Sequence, residues 1–487
     1  MRRRGLPRFC QSCYFRNVLL PRPRTIAAVI LAAGVLSGSL GFIAAPAAAA
    51  GDDPVQTVGL GGRPTGAVIS PDGRLAYISN PGANSIDIVD LTTAQLIQSI
   101  EVGAGLQSPA LNTSGTRLFA TTQSDSTLLI IDTATRAIAG RVKVGTQPTM
   151  PVISRDGTQL FVANGGSDNV SIIDLISGTL TATVEVGDRP LAPVQGTGSQ
   201  YSPLDDLLFV TNADASTVST IDLSTNKIIA EDAVGRVPTR PAVSPFLGVI
   251  NNEMVISNNG DGNVTILDQA RGGSTSSARV GASPGIPVSS IDGTEVFVPN
   301  GASASLTVLD IETSPASIKA TVPVGKGPTM PLLSPNGRIL FVPNTGGTSV
   351  TAIDTNSHTV RGSYNVDRGP VSLALSPDAK TLVVPNSGSG TVSVIDLTSQ
   401  ALPFAPPDVT VAPKSKKAKV SWEQSNEIGV TGYIATAIPG GAICTTSGSA
   451  CTVKGLIGGK KYSFSVQAVN AYGSGAATLS SKIKVRR

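Results

Sequence analysis

Hydrophobic and polar positions alternate in short runs through the middle of the chain, and the runs recur at a nearly constant spacing. An aliphatic residue followed by Asp marks each recurrence, and successive aspartates lie 42 to 48 residues apart. Between them the sequence alternates with period two and is rich in Val, Ile and Thr, which predicts short β-strands. The marking residues are Asp90, Asp132, Asp174, Asp222, Asp268, Asp310, Asp354 and Asp396.

Each repeat keeps the same order of features. A loop containing Gly and Pro leads into a first strand, which ends in a turn such as Ser-Pro-Asp-Gly at 70–73. An apolar second strand closes with Asn, except that Thr122 stands there in the second repeat. The third strand ends at the marking Asp, which we expect to accept backbone N–H bonds in the following turn. A fourth strand then leads to the next repeat.

Four short antiparallel strands in every 42 residues or so are typical of a β-propeller. The eighth repeat runs into Pro403, Pro406 and Pro407 before a fourth strand, whereas 55–59 has the fourth-strand pattern without the first three. The sequence therefore predicts an all-β fold over 51–402: an eight-bladed β-propeller closed by the N-terminal strand. A seven-bladed ring is the alternative, with one divergent repeat outside it.

The repeats resemble the YVTN-type β-propeller repeats of secreted and surface-layer proteins. The resemblance rests on Leu-Phe-Val-Thr-Asn at 208–212, Leu-Phe-Val-Ala-Asn at 160–164 and Ser-Pro-Asp at 376–378. It implies the fold and an extracellular setting, but no particular activity, because one fold serves many functions. Some propellers that these repeats resemble are lactonases, lyases or quinone-dependent dehydrogenases.

The composition changes after a Pro-rich linker at 403–407. The segment 408–487 contains Val-Ser-Trp at 420–422 and a strand-like run around Tyr462, and it resembles a fibronectin type III β-sandwich. The resemblance implies that Trp422 packs between two sheets and that Tyr462 is the corner tyrosine of such domains.

Two cysteines of this segment, Cys444 and Cys451, flank a short polar turn. We expect them to form a disulfide that staples a short hairpin, because export places the chain in an oxidising compartment. Two free thiols or a metal-binding pair are the alternatives.

The first fifty residues have the pattern of an export signal. Seven Arg and no acidic residue lie within 1–24, no charge occurs from Thr25 to Ala50, and the segment ends in three alanines. We therefore predict a signal peptide over 1–50, bacterial export, and a secreted or cell-surface protein. A membrane anchor is the alternative interpretation of this segment. If the segment is cleaved, we expect no integral membrane segment in the mature chain. The pattern does not distinguish export by the Sec route from export by the twin-arginine route.

Composition narrows the function classes. Charged residues make up only 14% of the chain, and there is a single His, so a coiled coil or a His-based zinc site is not expected. His358 is expected to be an exposed turn residue. The formal net charge of +4 does not indicate a nucleic-acid partner. No phosphate-binding or nucleophile-elbow motif is found; we expect no catalytic residue and a monomer.

The loops between the fourth strand of one repeat and the first strand of the next carry several cations. In a propeller these loops share one face, so the cations could form a basic ring that captures carboxylate, phosphate or sulfate. Scattered solubilising charge is the alternative. The six predicted ligand-binding residues are Arg63, Arg189, Arg236, Arg240, Lys326 and Arg368.

No cofactor is expected, although Ca²⁺ is conceivable if loop carboxylates converge. Solvated acids are the alternative reading of these residues. The candidates are Asp125, Asp168, Asp214 and Asp261.

The sequence thus favours an exported, non-catalytic propeller that binds a ligand at the cell surface or outside the cell, such as an anionic glycan or a protein. The alternative is a lactonase-like hydrolase or lyase using carboxylates in the central channel. Thr149-Met150 and Thr329-Met330 favour a channel filled by uncharged side chains.

The charge is distributed unevenly along the chain. Residues 51–405 include 19 basic and 30 acidic residues, whereas 406–487 include 11 basic and 3 acidic residues. The basic tail could therefore face anionic wall polymers.

Overall fold

The computed structural model describes residues 55–196, 206–243, 253–268, 274–313, 315–398, 403, 405–424, 430–470 and 473–486. Every regular element in these ranges is a β-strand. They contain no helix with the length and apolar character needed to cross a membrane. The signal peptide predicted over 1–50 lies outside the described residues.

The described part of residues 55–398 forms eight four-stranded antiparallel sheets. A single strand, β1 (Val55–Gly59), precedes the first of them. Sheet 1 contains β2 (Gly66–Ile69), β3 (Leu75–Asn80), β4 (Ser85–Asp90) and β5 (Gln95–Glu101). Sheet 2 contains β6 (Ala110–Leu111), β7 (Arg117–Thr122), β8 (Thr127–Asp132) and β9 (Ala137–Lys143). Sheet 3 contains β10 (Val152–Ile153), β11 (Gln159–Asn164), β12 (Asn169–Asp174) and β13 (Thr179–Glu185).

The next three sheets repeat this order. Sheet 4 contains β14 (Val194–Gln195), β15 (Leu207–Asn212), β16 (Thr217–Asp222) and β17 (Lys227–Ala233). Sheet 5 contains β18 (Ala242–Val243), β19 (Glu253–Asn258), β20 (Asn263–Asp268) and β21 (Ser274–Arg279). Sheet 6 contains β22 (Val288–Ser289), β23 (Glu295–Asn300), β24 (Ser305–Asp310) and β25 (Ser317–Pro323).

The last sheet differs from the others because its fourth strand comes from the start of the chain. Sheet 7 contains β26 (Leu332–Leu333), β27 (Ile339–Asn344), β28 (Ser349–Asp354) and β29 (Thr359–Asn365). Sheet 8 contains β30 (Ala374–Leu375), β31 (Thr381–Asn386) and β32 (Thr391–Asp396), and β1 pairs antiparallel with β32. Val58 lies opposite Val392 in this ladder, and Val55 lies opposite Ile395.

The sheets bury apolar side chains on both faces of their second strands. Successive residues of a strand point to opposite faces, so Leu118 packs with sheet 1 while the next residue, Phe119, packs with sheet 3. Each of eight apolar clusters is built from two sheets that follow one another in the chain or, in one case, from sheets 8 and 1. That last cluster includes Val58, Ile78 and Val383. The continuous apolar character of the second strands follows from this two-sided burial.

The marking aspartates have the structural role that the sequence predicts. In sheet 3, Asp174 Oδ1 accepts the backbone N–H of Ile176 at 3.1 Å and of Ser177 at 2.7 Å. The backbone N–H and then the hydroxyl of Ser177 lower the pKa of Asp174. The same turn bonding is present at Asp90, Asp132, Asp222, Asp310, Asp354 and Asp396.

The C-terminal segment forms two packed sheets. One contains β33 (Thr410–Lys414), β34 (Lys417–Ser421) and β37 (Ala450–Lys454). The other contains β35 (Gly432–Ile438), β36 (Ile443–Thr446), β38 (Lys461–Asn470) and β39 (Gly473–Leu479), with β40 (Ile483–Lys484) pairing to β38.

The aromatic residues of this segment lie where the resemblance implies. Trp422 is buried in the core, with its ring centroid 5.3 Å from that of Tyr433. The Tyr462 hydroxyl accepts the backbone N–H of Ile457, five residues upstream, at 3.1 Å, as in a tyrosine corner. Both predicted roles are confirmed.

The disulfide between Cys444 and Cys451 is present, but it does not staple a hairpin. Cys444 lies on β36, which pairs with β35, and Cys451 lies on β37, which pairs with β34. The chain changes sheets between the two cysteines, so the bond ties the two sheets of the sandwich together.

The expectation that His358 is an exposed turn residue is wrong. Its side chain is only 14% exposed, and its Nε2 lies 3.0 Å from Oε2 of Glu295 in the neighbouring sheet. Lys319 Nζ lies 2.6 Å from the other oxygen of Glu295. The turn therefore packs against sheet 6, which supplies the carboxylate next to the histidine.

Candidate ligand-binding site

The loops that lead into the first strands are anchored in the same way in all eight repeats. The residue after the loop Pro, or after Leu106 in the second repeat, donates its backbone N–H to a carbonyl of the second strand; for example, Thr149 donates to Ala163 at 2.8 Å and Thr239 to Ser257 at 2.8 Å. This common bond fixes the residue that follows it at an equivalent place in each repeat, here called the inner position. The eight inner positions hold Gly66, Ser108, Met150, Ala192, Arg240, Ile286, Met330 and Ser372.

A cavity of about 400 Å³ lies against five of these inner positions. They belong to the loops that lead into sheets 2 to 6, and they are Ser108, Met150, Ala192, Arg240 and Ile286. The rest of the lining is uncharged except for one residue, Arg189; it comprises Gln107, Thr149, Leu191, Ala213, Val237, Pro238, Thr239 and Asn259. A concave, mostly apolar wall with a few polar groups is typical of a small-molecule site.

Arg240 is the one charged residue at an inner position. Its side chain is partly buried, and Nη1 lies 3.3 Å from Sδ of Met150. Nε is buried and has no hydrogen-bond partner among the described residues, and no described carboxylate forms an ion pair with this guanidinium. Burial lowers the pKa of the Arg240 guanidinium below its usual range. A buried cation without a counter-ion is costly, so an anion entering the cavity would be stabilised there.

Arg189 also lines the cavity, but its charge is already matched. Nε lies 2.8 Å from Oδ1 of Asp214, and both side chains are about half exposed. Such an exposed pair is weak, so Arg189 could turn towards a ligand at little cost.

The other four predicted cations do not line this cavity. Arg236 pairs with Asp261, with Nε 2.7 Å from Oδ1, and Arg368 donates from Nη2 to the Gly388 carbonyl at 3.0 Å. Arg63 and Lys326 are exposed loop residues. The structure therefore brings two of the six predicted residues together at the cavity, and the binding role of all six stays a prediction.

The loop acids that could hold Ca²⁺ are engaged with arginines or with their own loop. Asp214 and Asp261 pair with Arg189 and Arg236, and Asp168 accepts the backbone N–H of Arg189 at 2.8 Å. Hydrogen bonds from the backbone and then the side chain of Arg236 lower the pKa of Asp261. Asp125 accepts the Thr122 hydroxyl at 2.5 Å. Within the described ranges no three His, Cys, Asp or Glu side chains are grouped to hold a metal ion.

Two residues that line the cavity have backbone angles in the left-handed region, Arg189 with a φ of 51° and Val237 with a φ of 52°. The strain is greater at Val237, because β-branched residues rarely adopt this region. At the same place the loops of sheets 2, 7 and 8 have Gly105, Gly327 and Gly369, which adopt positive φ without strain. The strained turn holds an exposed Val237 side chain over the cavity next to Arg240.

Sequence reasoning missed the apolar lining residues and did not separate Arg240 from the other cations. Leu191, Val237 and Ile286 carry no signal of their own in a chain rich in aliphatic residues. Arg240 could have been recognised by aligning the eight loops, because the other seven repeats have an uncharged residue at its position.

A second cavity, of about 300 Å³, lies between sheets 7 and 8 and includes Phe341, Arg361, Tyr364 and Asn470 in its lining. Burial raises the pKa of the Tyr364 hydroxyl. This cavity is lined by residues of sheets 7 and 8 together with Pro403 and Asn470, and it contacts none of the predicted cations, so it is the weaker candidate.

Comparison with known proteins identifies only the C-terminal part by sequence. Residues 404–486 match the family profile of the fibronectin type III domain. No curated protein matches the chain. Among solved structures the chain is similar to a Kuenenia stuttgartiensis hydrazine synthase, with a TM-score of 0.50, 17% identity, and coverage of 69% of this chain and 96% of the other. At that identity the similarity concerns the fold alone.

Proposed function

We propose that the chain is an exported, non-catalytic binding protein, in which an eight-bladed β-propeller takes a small anionic ligand in the cavity at Arg240. The observation that carries the proposal is the partly buried Arg240 guanidinium, which faces an apolar cavity without a carboxylate partner among the described residues. An arginine in such surroundings suits bidentate capture of a carboxylate, phosphate or sulfate group.

The arrangement of the sheets supports a closed ring. Apolar clusters join sheet 1 to sheet 2 and so on through sheet 8, and one further cluster joins sheet 8 back to sheet 1. The Ser372 hydroxyl also donates to the Thr65 carbonyl at 2.8 Å, linking the loops before sheets 8 and 1. On this arrangement the eight sheets are YVTN-type blades, and the inner positions surround the mouth of the central channel.

Two features support an extracellular setting. The disulfide between Cys444 and Cys451 is of the kind that persists in oxidising compartments, and the fibronectin type III domain is a general binding module. In addition, the basic segment and the uncharged apolar segment within residues 1–50 have the pattern of an export signal.

The cavity lining narrows the ligand class. Apolar side chains such as Met150, Leu191 and Ile286 would contact an apolar body, while Arg240 would hold the charge. The ligand that fits best is therefore a carboxylic acid with an apolar chain or ring, of a size that fills about 400 Å³.

The proposal is tested with a panel of aliphatic and aromatic carboxylates titrated into the protein by calorimetry. Arg240→Met removes the charge and installs the residue that two other inner positions already hold, Met150 and Met330. A charge-assisted hydrogen bond contributes about 1.5–3 kcal/mol, so we expect the variant to bind the best carboxylate about 10- to 100-fold more weakly.

Lys326→Met is the matched control, because it removes a cation from an equivalent loop without touching the cavity. We expect it to bind the carboxylates like the unmodified protein. Equal affinity of the Arg240→Met variant, or no binding of any panel member, would contradict the proposal. Turnover of lactones by the protein would instead favour the hydrolase alternative.

A further inference from the structure

The C-terminal sandwich carries a positive charge that the propeller does not share. Residues 406–487 include 11 basic residues and only 3 acidic residues. The two acids that the structure describes there are Asp408 and Glu423, and neither forms an ion pair with a lysine of the sandwich. Among the described residues of this domain, the cations therefore have no acidic partner.

Three lysines form a row across the three-stranded sheet. Lys414 on β33 lies directly opposite Lys417 on β34, and Lys417 lies directly opposite Lys454 on β37. Residues that face one another across antiparallel strands share one side of a sheet, about 5 Å apart. Ala418 and Val420, the alternate residues of β34, are buried in the core, so the lysine row is on the outer side.

Backbone hydrogen bonds bring one end of the other sheet of the sandwich, which contains β38 and β40, next to this lysine row. The Lys416 N–H donates to the Arg486 carbonyl at 3.2 Å, and the Lys416 carbonyl accepts the N–H of Leu456 at 3.0 Å. Lys461 lies opposite Lys484 in the β38–β40 ladder, and the Lys460 carbonyl accepts the N–H of Val485 at 3.0 Å. These contacts define the basic end of the sandwich, which comprises Lys414, Lys416, Lys417, Lys454, Lys460, Lys461, Lys484 and Arg486.

All eight cations of the basic end are exposed. Two lysines of the propeller, in contrast, have carboxylate partners: Lys319 pairs with Glu295 at 2.6 Å, and Lys380 pairs with Asp378 at 3.4 Å. Like charges placed directly opposite one another across strands destabilise a sheet. A bound polyanion would remove that repulsion and release the counter-ions that the lysines and the polyanion hold in solution.

We propose that the basic end binds a linear polymer of repeating phosphate groups at the cell envelope. Seven of its eight cations are lysines, whose compact charges suit phosphate without fixing a bidentate geometry. The aromatic residues Trp422, Tyr433 and Tyr462 are buried in the core, so the basic end has no described ring on which a nucleic-acid base could stack. The surface thus recognises charge along a chain rather than bases.

Binding is tested on the full chain with long-chain inorganic polyphosphate as the probe, in parallel with duplex DNA, polygalacturonate and phosphatidylglycerol vesicles. We expect polyphosphate to bind most tightly. With about four phosphate contacts, its affinity falls about 100-fold between roughly 50 and 200 mM salt.

The double variant Lys417→Glu/Lys454→Glu reverses the centre of the lysine row, and we expect it to weaken polyphosphate binding at least about tenfold. The matched control is Lys227→Glu/Arg279→Glu, which makes the same charge change at two exposed positions on β17 and β21 and leaves binding within about twofold. All four side chains are exposed, so we expect the substitutions to leave the unfolding temperature unchanged. Measuring that temperature verifies that each variant is folded. Equal weakening by the control, salt-independent binding, or tighter binding to DNA, polygalacturonate or vesicles would overturn the proposal.

Discussion

At the scale of single residues, the recurring polar side chains build the fold, and one residue that breaks the repeat marks the site. Asn258 closes β19 and donates to Asn263 Oδ1 and to Thr265 Oγ1, each at 2.8 Å, while its own oxygen accepts the Gly235 N–H at 3.1 Å. Seven of the eight repeats have such a buried Asn, and in each of them Nδ2 donates to the side chain seven residues later in the next strand. Arg240 recurs nowhere at its position, and its Nε has no hydrogen-bond partner among the described residues.

The recurring turn aspartates make stability depend on acid pH. Hydrogen bonds from turn hydroxyl and N–H groups lower the pKa of Asp90, Asp132, Asp174 and Asp222 below the usual 3.8. The folded state thus binds protons less readily than the unfolded state. Their contribution is complete above about pH 4 and is lost as the pH falls from 3.8 towards the lowered values.

We therefore expect the unfolding temperature to be nearly constant from pH 7 to pH 5 and to fall steeply below pH 4. Replacing these four aspartates by Asn keeps the turn bonds, because the amide oxygen accepts the same N–H groups, but it removes the titration. Circular dichroism melts of this variant should show a shallower fall between pH 4 and pH 3. An equally steep fall would mean that other carboxylates control acid unfolding.

At the scale of elements, strand β1 connects the beginning of the repeat array to its end. Val58 is 6% exposed and packs with Ile78 of sheet 1 and with Val383 and Val392 of sheet 8. Without β1, the backbone groups of β32 would form an open edge that can pair with another chain.

A charge at Val58 should disrupt both sheets at once. We expect Val58→Asp to lower the free energy of unfolding by about 3 kcal/mol or more, because it buries an unpaired carboxylate. Gln56→Asp, at an exposed position of the same strand, should change it by no more than about 0.5 kcal/mol. Urea unfolding of the two variants provides the comparison, and similar midpoints would show that β1 does not contribute to the common core.

At the scale of the whole molecule, the formal charge of +4 is a sum of opposing parts. Residues 51–405, with 19 basic and 30 acidic residues, carry −11, whereas 406–487, with 11 basic and 3 acidic, carry +8. The remaining +7 belongs to residues 1–50. Without that segment, the chain would combine an acidic repeat region with a basic C-terminal domain.

Export makes a prediction about the mass of the protein found outside the cell. Cleavage after Ala50 yields a chain beginning at Gly51, which intact-mass measurement and N-terminal sequencing of secreted material can identify. Replacing Ala48 and Ala50 by bulky Leu should block cleavage and leave the longer chain with the membrane. Secreted protein that retains residues 1–50 would contradict the signal-peptide hypothesis.

The repeat, the order of its strands and the aspartates of its turns could be predicted from the sequence, because strand alternation and turn chemistry are local and recur in all eight repeats. Contacts between distant segments could not be predicted in this way. His358 is covered because the adjacent sheet supplies Glu295, and the bond between Cys444 and Cys451 joins two sheets because the chain changes sheets between them. The cavity at Arg240 is likewise built from five loops far apart in the chain, and the basic end from strands that meet only after folding. The local sequence pattern determines the strand in which a residue lies. Whether its side chain is buried, and whether its charge has a partner, depends on segments that are distant in the sequence.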